Sequence, residues 1–398
     1  MHTRLKKLFE IKGYSLFVIC VLLVGTGISI TLPYLALYFT EDLRINAGLF
    51  GVFTAVSSLS GVVANSLIGK HSDLSLDRKL IIILATVSSA LGYGSYLVFD
   101  NFLILLITVS FFSGLGAAAM PQIYAYAQEA AIESNSDDKT FAMSALRSLV
   151  SLGFLGGPLI GTIILGSFGY KGLFIGTFAI FLTVALLVVL FLPKKGAVQK
   201  KRPGIGTTPL KRRQIWYPLI AFIILFAVNA INGIVTPLFI VNEIHGTHAD
   251  VGFVVSLCAG LEIPIMFALG ALGRKISNHT LMISACVIAI TYNIILSVST
   301  HSWQLMAAQL LQAVFVAIVM GNGLSYFTEL LPNSPGLSTS IYYNGSIIGR
   351  LVGNLSGGII AQYAGFRDVY WACLAIIIVS LFILWCIRPH KDIEVVTT

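Results

Sequence analysis

Three charged residues stand inside long apolar stretches of the sequence, where an isolated charge is costly. Glu262 lies in the middle of one stretch, within Gly260-Leu261-Glu262-Ile263-Pro264, Arg350 in the middle of a second, and Arg147 near the start of a third. Such charges persist by pairing with one another or by facing water. Glu262 is the one acidic residue well inside a stretch, so we expect it to bind and release a proton. The alternative is a permanent structural ion pair with Arg350 or Arg147.

Polar side chains also recur at helical spacing. Two stretches each carry an amide, a tyrosine and a glutamate at i, i+4 and i+7, which is one face of a helix: Gln122, Tyr126 and Glu129, and Asn322, Tyr326 and Glu329. A water-filled cavity is the simplest surrounding for such a face. The tyrosines are expected either to stack on a flat ligand such as a sugar or to fill the helix bundle. The glutamates, near the ends, are expected to form gate ion pairs or to reach towards water.

The predicted cavity has nine lining side chains. Asn229 and Asn232 come from another apolar stretch, and Tyr343 shares the helical face of Arg350. The full set is Gln122, Tyr126, Arg147, Asn229, Asn232, Asn322, Tyr326, Tyr343 and Arg350. Its neutral hydrogen bonders suit a sugar, whereas two arginines against one glutamate favour a substrate that bears carboxylates.

A short polar segment, 69–79, is expected to act as a gate. Gly69 permits close helix contact, Asp73 can meet a helix N-terminus or a cation, and Arg78 supplies positive charge shortly afterwards. The alternative is a solvated turn that only sets topology.

A second gating segment, 153–161, has glycines four residues apart. Gly153, Gly157 and Gly161 allow two helix backbones to approach, and Pro158 bends the helix. We add Glu129 to the gating set because it lies near the end of its stretch. The alternative is ordinary small-residue packing.

These residues need helices in a membrane to position them. Of the 398 residues, 57% are hydrophobic and 11% charged, and the mean hydropathy is +0.89, whereas soluble domains carry roughly 25% charged residues. Spans of roughly 20 apolar residues predict an all-α integral membrane protein with twelve transmembrane helices. The predicted spans are 15–39, 48–68, 79–99, 102–127, 141–167, 171–192, 216–241, 251–270, 279–299, 303–328, 337–363 and 367–388.

The basic residues predict the orientation. With the N-terminus inside, twenty of the twenty-five lysines and arginines fall in cytoplasmic segments and only Arg44, Lys171 and Arg367 in outer loops. This split satisfies the positive-inside rule and places both termini in the cytoplasm. The net charge of +8 is therefore a topology signal and does not indicate a nucleic-acid partner.

The sequence repeats at an offset of about 200 residues. Gln122, Tyr126 and Glu129 fall on Asn322, Tyr326 and Glu329, and Gly153 and Gly157 fall on Gly353 and Gly357. This predicts two six-helix bundles, 1–192 and 216–398, related by a parallel repeat and joined by a basic cytoplasmic linker, 193–215. Between two such bundles we expect a central cavity that opens by rocking.

The chain resembles the sugar efflux transporter (SET) family of the major facilitator superfamily. The stretches that carry the resemblance are Ser72-Asp73, Asp77 to Ile82, Ala119 to Gln122 and Gly260 to Pro264. The 69–79 turn is similar to the superfamily's loop 2–3 signature, with extra residues between Asp73 and Arg78, and 153–161 is similar to the antiporter motif of its exporters. The resemblance implies proton-coupled antiport, with export of sugars or glycosides.

Other cargoes and classes remain open. A carboxylate-bearing metallophore or multiple drugs are the alternative cargoes, and a non-transporting membrane sensor or enzyme is disfavoured because all seven histidines lie in loops or tails. No phosphate-binding Gly-x-x-x-x-Gly-Lys-Ser/Thr loop occurs in the sequence. The expected partners are a small-molecule substrate, protons and membrane lipids, without a cofactor or metal. We expect a monomer in a bacterial plasma membrane.

Overall fold

The first half of the chain forms six helical spans. The computed structural model describes residues 11, 13–72, 77–134, 139–193, 213–272, 276–331 and 335–387. In the first half, α1 runs through Tyr14–Thr31, a 3-10 turn Leu32–Tyr34, Leu35–Leu37 and a π-helical end, Tyr38–Asp42; α2 is Ala47–Ser72, α3 is Arg78–Val98, and α4 comprises Phe102–Gly116 and Ala119–Glu133. One long segment, Lys139–Phe191, is divided at Gly169 into α5 (139–168) and α6 (170–191).

The second half repeats this order. Here α7 is Arg213–Leu238 with a π-helical end, Phe239–Glu243; α8 is His248–Leu272, α9 is Asn278–Val298, α10 comprises Ser302–Val316, Ala317–Asn322 and Gly323–Leu330, α11 is Pro335–Ala364, and α12 is Phe366–Cys386. Residues 194–212, most of the predicted linker, lie outside the described residues.

The predicted twelve spans are confirmed. Ten segments of the described chain are long and apolar enough to cross a membrane. One of them, Ser148–Phe191, has 44 residues, about twice what one crossing needs, and contains the break at Gly169, where φ is 65° and ψ is −168°. The 30-residue α11 adds the remaining crossing and carries the polar residues Arg350 and Asn354.

The parallel repeat is visible in local geometry at the ends of α1 and α7. Each helix finishes in a π-helical segment, followed by a residue with positive φ: Arg44 at 55° and His245 at 59°. The closing backbone hydrogen bonds match as well, from Ile45 N to Phe39 O at 2.8 Å and from Gly246 N to Ile240 O at 2.8 Å. Residues 201 apart in sequence therefore make the same turn.

Glycines bring helix backbones into contact within each half. A Cβ on Gly153 of α5 would lie 2.7 Å from the backbone nitrogen of Thr26 on α1, and a Cβ on Gly353 of α11 would lie 2.8 Å from Cα of Ala227 on α7. The Ser29 hydroxyl of α1 donates to the Gly153 carbonyl at 2.8 Å. These contacts fix α5 to α1 and α11 to α7 in the same way.

The two halves meet at one end of the molecule, which we call the closed end. There Gly51 of α2 lies against Asn354 and Gly358 of α11, and Gly252 of α8 lies against Tyr34 and Pro158 of the first half. The closed end carries the α1–α2 and α7–α8 turns. At the opposite, open end a cavity separates α2 and α4 from the first part of α11.

Replacing Gly153 by alanine should destabilise the protein by about 1–3 kcal/mol, because the added methyl group overpacks the α1–α5 contact. Thermal unfolding of the purified protein in mild detergent measures the change. Gly353→Ala should behave alike at the α7–α11 contact. Gly156→Ala is the matched control on α5, since no atom lies within 4 Å of its added Cβ. Equal melting temperatures for Gly153→Ala and Gly156→Ala would contradict the proposed role of the close contact.

Candidate functional site

A polar cavity of 580 Å³ lies between the halves on the open side. Its walls come from α2, α4 and α11, and its lining residues are Ser57, Ser58, Gly61, Val62, Asn65, Ser66, Ser113, Ala117, Pro121, Tyr343, Ile347 and Arg350. Hydroxyl, amide and guanidinium groups therefore share one space. Such a set can hydrogen-bond a small polar ligand from several sides.

Two predicted residues, Tyr343 and Arg350, lie in this wall. The Tyr343 side chain is 54% exposed, and Arg350 is exposed as well. Among the described residues, neither side chain is seen in a hydrogen bond or an ion pair with another side chain. The Arg350 guanidinium is therefore free to donate to a ligand in the cavity.

The rest of the wall was missed by sequence reasoning. Ser57, Gly61 and Asn65 of α2 are four residues apart and face the cavity together, which is a helical face of small and polar residues. That spacing was a readable signal. A smaller, mostly apolar cavity of 210 Å³ adjoins the first through Ser113 and Ala117.

Gln122 belongs to a polar cluster at the open end of the first half. Its side-chain oxygen accepts a hydrogen bond from Arg78 Nη1 at 2.9 Å, and Arg78 Nε pairs with Glu129 Oε1 at 3.0 Å. Both charged side chains are largely buried, with 13% and 12% of their surface exposed. The described structure thus brings two predicted gating residues together, and the Arg78 guanidinium also holds the predicted cavity residue Gln122.

The second half repeats this cluster without the positive charge. Asn278 stands where Arg78 stands in the first half, and its amide nitrogen donates to Glu329. Asn322 in turn donates to the Asn278 side-chain oxygen at 3.3 Å. The residues related by 200 positions occupy equivalent places, but only the first-half cluster has an ion pair among the described side chains.

The predicted cavity positions of Tyr126 and Tyr326 need correction. Tyr126 is 1% exposed, lies 5.6 Å from the Phe17 ring and donates to the Pro193 carbonyl at 2.7 Å. Tyr326 is 3% exposed and stacks on Phe222 at 5.6 Å. Each ring fills the core of its own half, which is the alternative that the sequence left open.

The α7 amides lie inside the second half. Asn229 accepts from Gln312 of α10 at 3.1 Å. Asn232 is 4% exposed, and neither polar atom of its side chain has a hydrogen-bond partner among the described residues. Neither asparagine lines the 580 Å³ cavity, and their predicted contact with a substrate stays a prediction.

Glu262 is a partly buried carboxylate in the middle of α8. It forms no ion pair with a described side chain, and the proposed permanent pair with Arg350 is not formed. The side chain of Arg147 lies outside the described residues, as do Asp73 and the surroundings of Gly69.

The predicted gating glycines of α5 all lie on its α1 side. Gly157 packs on Ser29, and Gly161 packs on Ile30 and Tyr34. The Tyr34 hydroxyl donates to the Pro158 carbonyl at 2.8 Å, and this carbonyl also faces Gly252 of α8. The segment therefore joins an intra-half contact to the contact between the halves.

Two six-helix halves around a polar cavity define a multi-pass membrane transporter, not an enzyme. The chain belongs to the Major Facilitator Superfamily, whose family model matches residues 17–302 and 219–397. It is 28% identical over 381 residues to sugar efflux transporter B of Salmonella typhimurium, covering 95% of both chains, and 28% identical over 375 residues to sugar efflux transporter A of Dickeya chrysanthemi, covering 94% and 95%. The crystal structure of the nucleoside transporter NupG has the same fold, with a TM-score of 0.79, 12% identity and coverage of 95% of this chain and 99% of that one.

Cysteine labelling should distinguish two neighbouring tyrosines of α11. In a variant lacking the five native cysteines, Tyr343→Cys should react with a water-soluble maleimide at least tenfold faster than Tyr342→Cys, because water reaches only the first. Tyr342 is 8% exposed and donates to the Met320 carbonyl at 3.1 Å. Reaction rates in lipid nanodiscs measure the difference, and equal rates would contradict the assigned cavity.

Proposed function

We propose that this protein is a secondary active exporter of a small polar molecule, a sugar or glycoside, that works by alternating access. The observation that carries the proposal is the polar cavity between two halves that touch at one end and separate at the other. Rocking of rigid halves would move this opening from one side of the membrane to the other. The two relatives named as sugar efflux transporters support both the direction and the cargo.

The open end is proposed to face the cytoplasm of a bacterial cell. Arg78 and Lys79 begin α3 at that end, where α6 also ends and α7 begins. Lys79 donates to the Val189 carbonyl near the end of α6 at 2.8 Å. The positive-inside rule then gives cytoplasmic termini and an inward-facing conformation. A monomer with bundles 1–192 and 216–398 completes this proposal.

Glu262 is proposed to bind the coupling proton. A carboxylate within the membrane that has no ion-pair partner among the described side chains is costly when charged and is readily neutralised by a proton. The repeat offset of 201 relates Glu262 of α8 to Gly61 of α2, which lines the cavity. Glu262 thus occupies on α8 the position that the cavity-lining Gly61 occupies on α2. By analogy, we expect water to reach the Glu262 carboxylate.

Replacing Glu262 by glutamine should abolish transport driven by a pH gradient and preserve counterflow, which needs no net proton movement. Proteoliposomes loaded with a radiolabelled alkyl glycoside measure both. Asp368→Asn is the control, because this exposed carboxylate begins α12 outside the cavity, and it should leave both activities unchanged. Gradient-driven transport by Glu262→Gln at the parent rate would refute the coupling role.

A carboxylate-bearing cargo is the second candidate, favoured by one observation. Arg350 is the only charged side chain among the described cavity-lining residues, and an unpaired guanidinium is suited to bind a carboxylate bidentately. The same charge disfavours lipophilic cationic drugs. A sugar acid or an amino-acid-like metallophore would satisfy this group.

Arg350→Gln should separate the two cargoes. If the substrate carries a carboxylate, inhibition of counterflow by a uronic acid should weaken by roughly 10- to 100-fold, because a charge-assisted hydrogen bond is lost. Inhibition by the matching neutral sugar should change by less than about threefold. Arg350→Lys should restore part of the uronic acid inhibition. Equal weakening for both compounds would remove the anionic candidate.

A further inference from the structure

A cluster of three titratable side chains connects the two halves at the closed end. His248 Nε2 lies 3.1 Å from Oε2 of Glu41 and 3.3 Å from Oε1. The Tyr170 hydroxyl donates to the same Glu41 carboxylate and lies 3.5 Å from His248 Nε2. Glu41 ends α1 and Tyr170 begins α6, whereas His248 begins α8, so the cluster spans the boundary between the halves.

The first half holds its part of the cluster in place without His248. Glu41 lies in the π-helical end of α1, and Tyr170 directly follows the helix break at Gly169. The Tyr38 ring packs 5.4 Å from Tyr170 and 4.8 Å from Phe174. Opening of the closed end would therefore leave Glu41 bonded to Tyr170 and would remove only His248.

This contact differs from the other ion pairs of the described side chains. The Arg78–Glu129 pair lies within the first half and the Arg367–Glu243 pair within the second. Among the ion pairs of the described part of the chain, only that of His248 with Glu41 crosses between the halves. Water can also reach this pair, because 40% of the His248 side chain and 29% of the Glu41 side chain are exposed.

We propose that Glu41, Tyr170 and His248 form a proton-operated latch, in which protonation of His248 holds the halves together at the closed end. Glu41 is an acceptor for both neighbours, and a protonated histidine makes this contact a charge-assisted hydrogen bond. Once the end opens, the imidazolium loses its carboxylate. Acid therefore favours the closed arrangement by linkage.

Charged groups of both signs lie on the elements around the cluster. On the α1 side, Asp42 follows Glu41 and adds negative charge, while Lys171 follows Tyr170 on α6 and opposes it. On its own helix, Asp250 accepts from the Thr247 amide at 2.8 Å and from the Ser302 hydroxyl at 3.0 Å. In the adjoining α7–α8 turn, His245 is exposed, and from α7 Glu243 is already paired with Arg367 of α12. Arg44, in the corresponding α1–α2 turn, is exposed as well, so Glu41 is the charged group in direct contact with His248.

The latch is separate from the coupling site proposed at Glu262. It rests on alternating access as proposed above, and with the closed end outside the cell it would respond to external acid. Protons arriving from outside would then favour closure of that side and return of the transporter to the inward-facing conformation. The cargo does not enter this argument.

Distances between spin labels at the closed end test the latch directly. Leu103 and Trp303 occupy repeat-related positions in the first turns of α4 and α10 and are 63% and 65% exposed. Cysteines at both positions, in a variant lacking the native five, are labelled and measured in nanodiscs by double electron–electron resonance at about pH 5.5 and about pH 8, on either side of histidine titration. Both labels are uncharged and lie on opposite halves.

The expected result is a closed-to-open ratio about three- to fivefold higher at acid pH, the modest effect of a partly exposed pair. His248→Gln and Glu41→Gln should each remove this pH dependence, and His248→Lys should keep the closed distance at both pH values. His245→Asn is the matched control in the same turn, because asparagine tolerates its positive φ, and it should retain the shift.

Two results would overturn the latch. One is a parent protein whose distance distribution does not change with pH, and the other is a pH shift that survives in His248→Gln. The measurement needs neither cargo nor a proton gradient, so loss of sugar transport with an intact distance shift would refute the proposed cargo and leave the latch standing. Intact sugar transport without the distance shift would refute the latch and leave the proposed cargo standing.

Discussion

The hydrocarbon interior requires every backbone polar group to find its hydrogen-bond partner inside the chain, and an α-helix meets that requirement within a single segment. Apolar side chains then gain little by moving from lipid to protein, so tight helix contacts depend on close backbone approach. Gly153 against α1 and Gly353 against α7 supply this approach at matching places. Because neither contact yields without separating backbones, we expect each half to move as a packed unit, with any large movement at the boundary between the halves.

The boundary between the halves is built from small residues at the closed end and from polar residues at the open end. At the closed end Gly51 and Gly358 let α2 and α11 touch. Further along the same helices Asn65 and Tyr343 line open space. One pair of helices therefore serves as both a contact between the halves and a cavity wall, and in the proposed alternating access a rotation of the halves would exchange the two roles.

Sequence reasoning predicted the twelve spans and the repeat because both follow from local composition and spacing. It could not decide which way the stripe of Gln122, Tyr126 and Glu129 points, since that depends on Phe17 and Arg78, which come from other helices. The same limit hid Asn65, whose helical face was readable but had no charged residue to draw notice. The contact of Glu41 with His248 joins residues 207 positions apart, and no pattern in the sequence links them.

The departures from the repeat are as informative as the matches. Arg78 and Asn278 occupy equivalent places, yet only the first carries charge, and Glu262 stands on α8 where α2 has the cavity residue Gly61. A perfectly symmetric transporter would offer the same surface to cargo and proton from both halves. Here a guanidinium faces the cavity from α11, and the carboxylate belongs to α8, on another interface between the halves. Under the proposed alternating access, this asymmetry would give cargo and proton separate places, linked by the rocking of the two bundles.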